Sequence, residues 1–256
     1  MANKKYEETD IQAIADAIRD KTGTEDTYKI SDMASGVNEV YEKGISEEDV
    51  KIWKMITLEG TRTDFSHSFR KENFSDYSFI NPVQPRVAEY MFYQYAGAKL
   101  PGNLDFSSLS VSNENCLYRT FGWVTKLSVI PDIGIPAPSV YKETFYGAAP
   151  VITIDILRVN EDCKFTNTFY NATQLRNIKF EGVIGQSISF SNSSSLTVES
   201  MINIIRHLKD YSGTENAGRY ILTLYDSRKN LMAAQGAIFG GKTYDEYITD
   251  IGWNLA

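Results

Sequence analysis

The most constraining feature of this chain is an aromatic residue followed by aliphatic residues six and nine positions later. Three regular copies have their aromatic residues 24 positions apart, and a looser copy begins 26 positions before the first. The copies are Phe121–Leu127–Ile130, Phe145–Val151–Ile154, Phe169–Leu175–Ile178 and the looser Tyr95–Leu100–Leu104. A period of this size is typical of stacked units that bury their apolar faces against each other. The sequence therefore predicts a long binding surface rather than a catalytic pocket.

The period predicts an α/β fold built on a solenoid of parallel strands. In each unit we expect a strand around the aliphatic pair, with Leu175 and Ile178 facing the core and the aromatic residue on the opposite wall. Phe65 and Phe69 are candidates for a degenerate first unit. The predicted parts are an N-terminal helical attachment module (1–58), a loop-rich connector (59–92), the repeat solenoid (93–196) and an α/β C-terminal cap (197–256).

Capping residues predict the elements of the C-terminal part. Thr197 is a helix N-cap, and we expect that helix to run to Gly213. Thr243 forms a capping box with Glu246 at the start of a second helix. Alternating apolar residues predict a strand at 220–225, and a short strand is expected at the end of the chain, 253–256.

Charge and hydropathy exclude several classes of protein. The net charge of −7 falls mostly in residues 1–60, where 14 acidic side chains outnumber 8 basic ones. Nucleic-acid binding usually requires a basic face, so we expect no such partner. No apolar run is long enough to cross a bilayer, and no apolar segment follows Lys4 and Lys5. We therefore expect no membrane insertion, no secretory signal and synthesis in a bacterial cytoplasm.

The two cysteines, Cys116 and Cys163, are predicted to be free, buried thiols. They lie five and six residues before Phe121 and Phe169, so the Phe145 unit lies between them and their own units are two steps apart. Two steps at strand spacing are roughly 10 Å, whereas a disulfide requires Cα atoms within about 7 Å.

Residues suited to catalysis or metal binding are sparse. His67 and His207 lie far apart and have no nearby cysteine, which gives no metal-ligand spacing. A glycoside hydrolase needs two carboxylates flanking the sugar bond. Neither Glu161–Asp162 nor Glu143 with Asp155 is spaced to form such a pair. The sequence therefore predicts no catalytic residue, no cofactor, no metal and no enzymatic activity.

The repeats resemble the BspA-type leucine-rich repeat, in which an aromatic residue precedes an L-x-x-I strand, as in Thr168–Ile178. The ends resemble tail-associated structural proteins of phages and prophages of gut Firmicutes. The segments that carry this likeness are Ile14–Gly23 with Met33–Ala34, Gly60–Phe65, Tyr90–Tyr93, Phe180–Gly185, Leu196–Met201 and Gly252–Ala256. The resemblance implies that the N-terminal helices attach to the virion and that the repeats face outward.

These observations predict a non-enzymatic virion protein of the tail or baseplate that presents a repeat domain for host attachment or receptor binding. Expected partners are other tail proteins, through the N-terminal helices, and a host surface protein or glycan. Homo-oligomerisation is left open. Two alternatives remain at this point: a tail-associated cell-wall glycan hydrolase or depolymerase, and a BspA-like bacterial surface adhesin.

The polar residues beside the core positions of each strand are the candidate partner-binding residues. In the clearest strand, Leu175 and Ile178 point inward and leave their polar neighbours toward solvent. The predicted binding residues are Arg176, Asn177 and Lys179, with Thr153 and Asp155 one unit earlier and Lys126 and Ser128 before that.

Overall fold

The computed structural model describes residues 55–56 and 63–256, which form a mixed α/β structure with parallel strands and few helices. The strands are β1 (Met55–Ile56), β2 (Ser78–Val83), β3 (Gly102–Leu104), β4 (Val129–Ile130), β5 (Thr153–Val159), β6 (Asn177–Gly182), β7 (Ile188–Phe190), β8 (Tyr220–Leu224) and β9 (Trp253–Leu255). The helices are α1 (Val198–Arg206), α2 (Asp226–Ala233) and α3 (Tyr244–Asp250).

The helical module predicted over 1–58 lies outside the described residues except for Met55–Ile56, which were predicted at the end of a helix and form strand β1 instead. Everything from residue 56 onward belongs to one compact unit, Ile56–Ala256. The four-part division into 1–58, 59–92, 93–196 and 197–256 stays a prediction. Strand β2 lies in the connector, which was predicted to be loop-rich with a degenerate first unit.

The strands form three sheets of three strands each, in the orders β1-β2-β3, β4-β5-β6 and β7-β8-β9. Pairing is parallel from β2 to β3 and throughout the second and third sheets, as the sequence predicted. In the second sheet Val129 pairs with Thr153, and Thr153 pairs with Asn177. Both pairings join residues 24 positions apart, which matches the spacing of the sequence pattern.

A row of phenylalanine rings fills the core beside these strands. The centroids of Phe121, Phe145 and Phe169 are 5.7 Å apart at each step, with interplanar angles of 9°. Phe190 extends the row at 4.6 Å from Phe169. Phe145 and Phe169 are almost fully buried, which confirms the prediction for both. Offset ring contacts of this kind add to the burial of apolar area.

The looser copy in the sequence pattern has the wrong starting residue. Phe92, not Tyr95, stacks on Phe121, with ring centroids 5.8 Å apart and an interplanar angle of 4°. Backbone pairing explains the difference, because the Phe92 amide donates to the carbonyl of Thr120 and the Gln94 amide to that of Gly122. Tyr95 is buried instead against the edge of Phe92.

Both cysteines are buried and free, as predicted. Burial raises the pKa of the Cys116 thiol to about 11 and that of Cys163 to about 12. Desolvation disfavours the thiolate in both cases. The two groups are therefore neutral, small apolar side chains at physiological pH rather than nucleophiles.

The C-terminal part matches the predicted caps but not every boundary. Thr197 caps α1 by accepting a hydrogen bond from the Ser200 amide at 3.3 Å, and the capping box of Thr243 and Glu246 opens α3. Helix α1 ends at Arg206, before the expected stop at Gly213. The chain leaves the helix there because Leu208 forms a parallel bridge with Ile184. Helix α2 was not predicted.

Candidate functional site

A groove of about 1100 Å³ lies along the strand face of the second sheet. Its floor is formed by β5 and β6, and one wall is formed by α1. The lining residues are Asp132, Thr153, Ile154, Asp155, Ile156, Asn177, Ile178, Lys179, Val198, Glu199, Ser200, Ile202, Asn203 and Arg206. We call this surface the strand-face groove.

Helix α1 forms the wall because it takes the place of a further strand beside β6. The Ser200 hydroxyl accepts a hydrogen bond from the Ile178 amide at 3.1 Å, and Asn203 Oδ1 accepts from the Phe180 amide at 2.8 Å. The Thr197 amide donates to the Arg176 carbonyl at 3.0 Å. Polar side chains of the helix therefore accept hydrogen bonds from the backbone amides at the edge of β6, which could otherwise pair with a strand of another chain.

An irregularity in β5 shapes the floor. Ile154 pairs with Ile178, but the next partners are Leu157 and Phe180, so β5 has one residue more than β6. Successive residues of a regular strand point to opposite faces, yet Asp155 and Ile156 both line the groove. This extra residue adds an apolar side chain to the groove beside the carboxylate.

The predicted binding residues are partly brought together in this groove. Thr153, Asp155, Asn177 and Lys179 line it, and Asn177 Nδ2 donates to Thr153 Oγ1 at 3.3 Å. The other three are not among the lining residues: Arg176 and Lys126 are exposed, and Ser128 is half-buried.

The register also shows which residues occupy equivalent positions in β4. Val129, rather than Ser128, pairs with Thr153, and 42% of Val129 is exposed. The Ser128 carbonyl accepts from the Ile152 and Thr153 amides at 2.7 and 3.1 Å. Ser128 therefore aligns one position ahead of the row that contains Thr153 and Asn177.

Sequence reasoning missed the residues that α1 contributes. Glu199, Asn203 and Arg206 enter the groove because the helix packs against the edge of β6. The Thr197 cap was a visible signal for the helix, but its docking position depends on contacts remote in the chain. The sequence also gave no sign that Asp132 lies at the groove.

Four charged side chains of the groove are exposed: Asp155, Lys179, Glu199 and Arg206. Among the described residues, none of the four forms an ion pair with another. The groove thus has two acidic and two basic groups with their charge available, Asp155 and Lys179 on the floor and Glu199 and Arg206 on the wall. The arrangement suits a ligand with both polar and apolar groups.

Asp132 differs because Arg158 holds it at the end of the groove. The guanidinium donates to both carboxylate oxygens at 2.7 Å, and its Nε lies 3.2 Å from Glu181 Oε2. Hydrogen bonds from Arg158 and from the Gly134 amide lower the pKa of Asp132 to about 2. The carboxylate therefore remains ionised over the physiological range, and Arg158 of β5 links the segment after β4 to Glu181 of β6.

We expect Asp132→Asn to reduce stability at neutral pH by at most about 1 kcal/mol, because the pair is partly exposed and solvent screens it. A lowered folded-state pKa stabilises the protein above the unfolded value of about 4. That contribution is lost as the pH falls through about 2. Urea unfolding at several pH values should show that the difference in free energy of unfolding between the variant and the parent protein decreases as the pH is lowered from about 4 to about 2.

The matched control is Glu114→Gln, which removes an exposed carboxylate that has no ion pair with any other described residue. If the loss of unfolding free energy in Asp132→Asn stays constant down to about pH 2, Arg158 does not stabilise the ionised form of Asp132 as assigned.

Two of the carboxylates considered for glycan hydrolysis, Glu143 and Glu161, form ion pairs with basic side chains. Glu143 accepts from Arg119 Nε at 2.6 Å, and Glu161 pairs with Lys209. The histidines also have partners: the His67 ring stacks on Tyr90 at 4.8 Å, and His207 Nδ1 lies 2.7 Å from the Asn203 carbonyl oxygen. Within the described part of the chain, no group of three or more His, Cys, Asp or Glu residues could hold a metal.

Comparison with protein-family models, curated proteins and solved structures finds no match to this chain. Of the helices that the structure describes, none has the length and apolar character needed to cross a bilayer.

Proposed function

We propose that this protein is a non-enzymatic structural protein of a phage or prophage virion, located in the tail or baseplate region. Its role there is to bind a protein partner or a component of the host surface. The observation that carries the binding role is the strand-face groove, with four exposed charged groups beside the half-buried apolar side chains of Ile156 and Ile202. The virion assignment rests on the resemblance of the two ends of the chain to tail-associated proteins.

We also infer a leucine-rich-repeat-like solenoid over 93–196, closed by the C-terminal α/β cap. Parallel pairing at 24-residue intervals and the stacked rings of Phe121, Phe145 and Phe169 support this interpretation. In a solenoid each unit contacts only its neighbours, so outward residues of successive units form a continuous row. Such a row is suited to an extended ligand.

Asp132, the carboxylate at the end of the groove, does not suit the role of a glycosidase general acid. The general acid of a glycosidase has a raised pKa, so that it carries a proton at working pH. Arg158 lowers the pKa of Asp132 instead. Release of reducing sugar from host cell wall by the purified protein would refute the non-enzymatic assignment.

The virion assignment is tested by negative-stain imaging of purified particles with antibody against this chain. We expect label at the tail. Label confined to the bacterial surface, with none on particles, would favour the adhesin alternative.

Binding through the groove is tested by Lys179→Ala combined with Arg206→Ala. We expect this double variant to lose about tenfold or more in binding, because each removed cation lines the groove. The melting temperature should be unchanged, since both side chains are exposed. The measurements are adsorption of the purified protein to the bacterium that carries its gene, and pull-down of the tail proteins encoded beside it.

Two further variants locate the binding surface. Arg176→Ala removes an exposed cation that directly precedes β6 but does not line the groove. Lys99→Ala removes an exposed cation much earlier in the chain. Lys99→Ala is expected to bind like the parent protein. If Arg176→Ala loses binding and the double variant does not, the partner contacts the residue that precedes β6 and not the groove. Unchanged binding in the double variant would exclude the groove as the binding surface.

A further inference from the structure

Aromatic side chains also line the outer surface beside the phenylalanine row. The residues that directly follow Phe92, Phe121, Phe145, Phe169 and Phe190 are Tyr93, Gly122, Tyr146, Tyr170 and Ser191. Gly122 leaves room for the neighbouring ring, since a Cβ there would lie 3.1 Å from Tyr93 Cδ2. The Tyr146 and Tyr170 rings stack at 4.8 Å with an interplanar angle of 19°.

The outer row ends with a ring that has one uncovered face. Tyr146 covers one face of Tyr170, yet 50% of Tyr170 remains exposed. The next position in the row is Ser191, because Phe190 stacks on Phe169 and the Asn171 amide donates to Asn192 Oδ1 at 3.3 Å. A serine therefore stands where a further aromatic ring would cover Tyr170.

The two chain segments that contribute the residues around this face carry hydroxyl and amide groups but no charge. Segments 165–175 and 182–198 contain no Asp, Glu, Lys or Arg, although these residues make up 23% of the chain. Ser189 and Ser191 are exposed and their hydroxyls are 3.2 Å apart. Asn171 and Asn192 are half-buried beside them. The surface is thus one apolar ring face bordered by neutral hydrogen-bonding groups.

We propose that the free face of Tyr170, together with Ser189, Ser191 and Asn192, binds a neutral pyranose unit of a glycan. A pyranose ring has an apolar face of C–H groups, which can lie on an aromatic ring, and hydroxyls at its edge, which exchange hydrogen bonds with serine and asparagine. An anionic polymer would require cations at the site. The proposal rests on the proposed surface-binding function and names its ligand class, at a site separate from the strand-face groove.

The test titrates the full chain with neutral hexasaccharides of glucose, mannose, galactose and N-acetylglucosamine, followed by saturation-transfer NMR and calorimetry. We expect at least one to bind. Tyr170→Ala should weaken that binding about tenfold or more by removing the stacking face. Ser191→Tyr should weaken it similarly, because the new ring would cover Tyr170 as Tyr146 does. Tyr77→Ala is the control, since Tyr77 is also exposed but directly precedes β2, in a different sheet from Ser189.

Failure of all four hexasaccharides to bind the parent protein would overturn the proposal. So would binding that survives both Tyr170→Ala and Ser191→Tyr, or displacement of the sugar by a sulfated hexasaccharide at equal concentration. The groove variant Lys179→Ala with Arg206→Ala separates the two functions. Partner capture that depends on the groove, without sugar binding, would retain the proposed function and reject this site.

Discussion

Phe169→Ala is expected to lower the free energy of unfolding by about 3–5 kcal/mol, because it removes a buried ring from a packed core. Only 2% of Phe169 is exposed, and its ring contacts Phe145 at 5.7 Å and Phe190 at 4.6 Å. Truncation leaves a cavity between two rings that are held by backbone pairing. Urea unfolding of the purified protein measures the change.

Tyr170→Ala is the matched control, because it removes an aromatic ring from the adjacent residue. Half of Tyr170 is exposed and it stacks only on Tyr146, so we expect a loss of about 1 kcal/mol. Equal shifts of the urea midpoint for the two variants would show that the phenylalanine row does not form the core of this region.

Gly182→Ala is expected to destabilise the protein by about 3 kcal/mol or more, because two penalties combine at this position. A Cβ at Gly182 would overlap the carbonyl oxygen of Val159, its partner at the end of the β5–β6 pairing. Its φ of +104° is also disfavoured for any residue with a side chain. Thermal and urea unfolding should both report the loss.

Gly213→Ala separates these two penalties. Gly213 has φ of +69°, but a Cβ there meets nothing within 4 Å. Only the left-handed backbone conformation opposes the substitution, so we expect a loss of about 1–2 kcal/mol. If Gly182→Ala costs no more than Gly213→Ala, the close approach of β6 to β5 is not a tight constraint.

Local patterns predicted much of the C-terminal part correctly. Thr197 and the Thr243–Glu246 capping box mark helix starts because their side chains satisfy nearby backbone amides. Helix α2 was missed because only Met232 of its residues is buried, so it has no apolar stripe for a pattern to reveal. The end of α1 was missed because its cause, the bridge between Leu208 and Ile184, is not local.

For the candidate site, the sequence could predict which residues of one strand are exposed, but not how β5 and α1 are arranged around them. The spacing of Leu175 and Ile178 correctly predicted that both are buried, and Asn177 and Lys179 are exposed as expected. Alternation could not predict the extra residue in β5 that brings Ile156 into the groove. The 24-residue period aligns Val129 with Thr153, so the period identifies Val129, and not Ser128, as the equivalent position in β4.

The sequence by itself determined which side chains enter the core, because the burial of Phe145, Phe169 and Leu175 follows from apolar residues that recur at fixed spacing. It also determined the parallel pairing of strands 24 residues apart. The tertiary structure decided that Phe92, rather than Tyr95, joins the ring row. It also decided that α1 closes the edge of β6 and so forms the groove. Both outcomes depend on backbone hydrogen bonds between segments distant in the chain, which a local pattern does not encode.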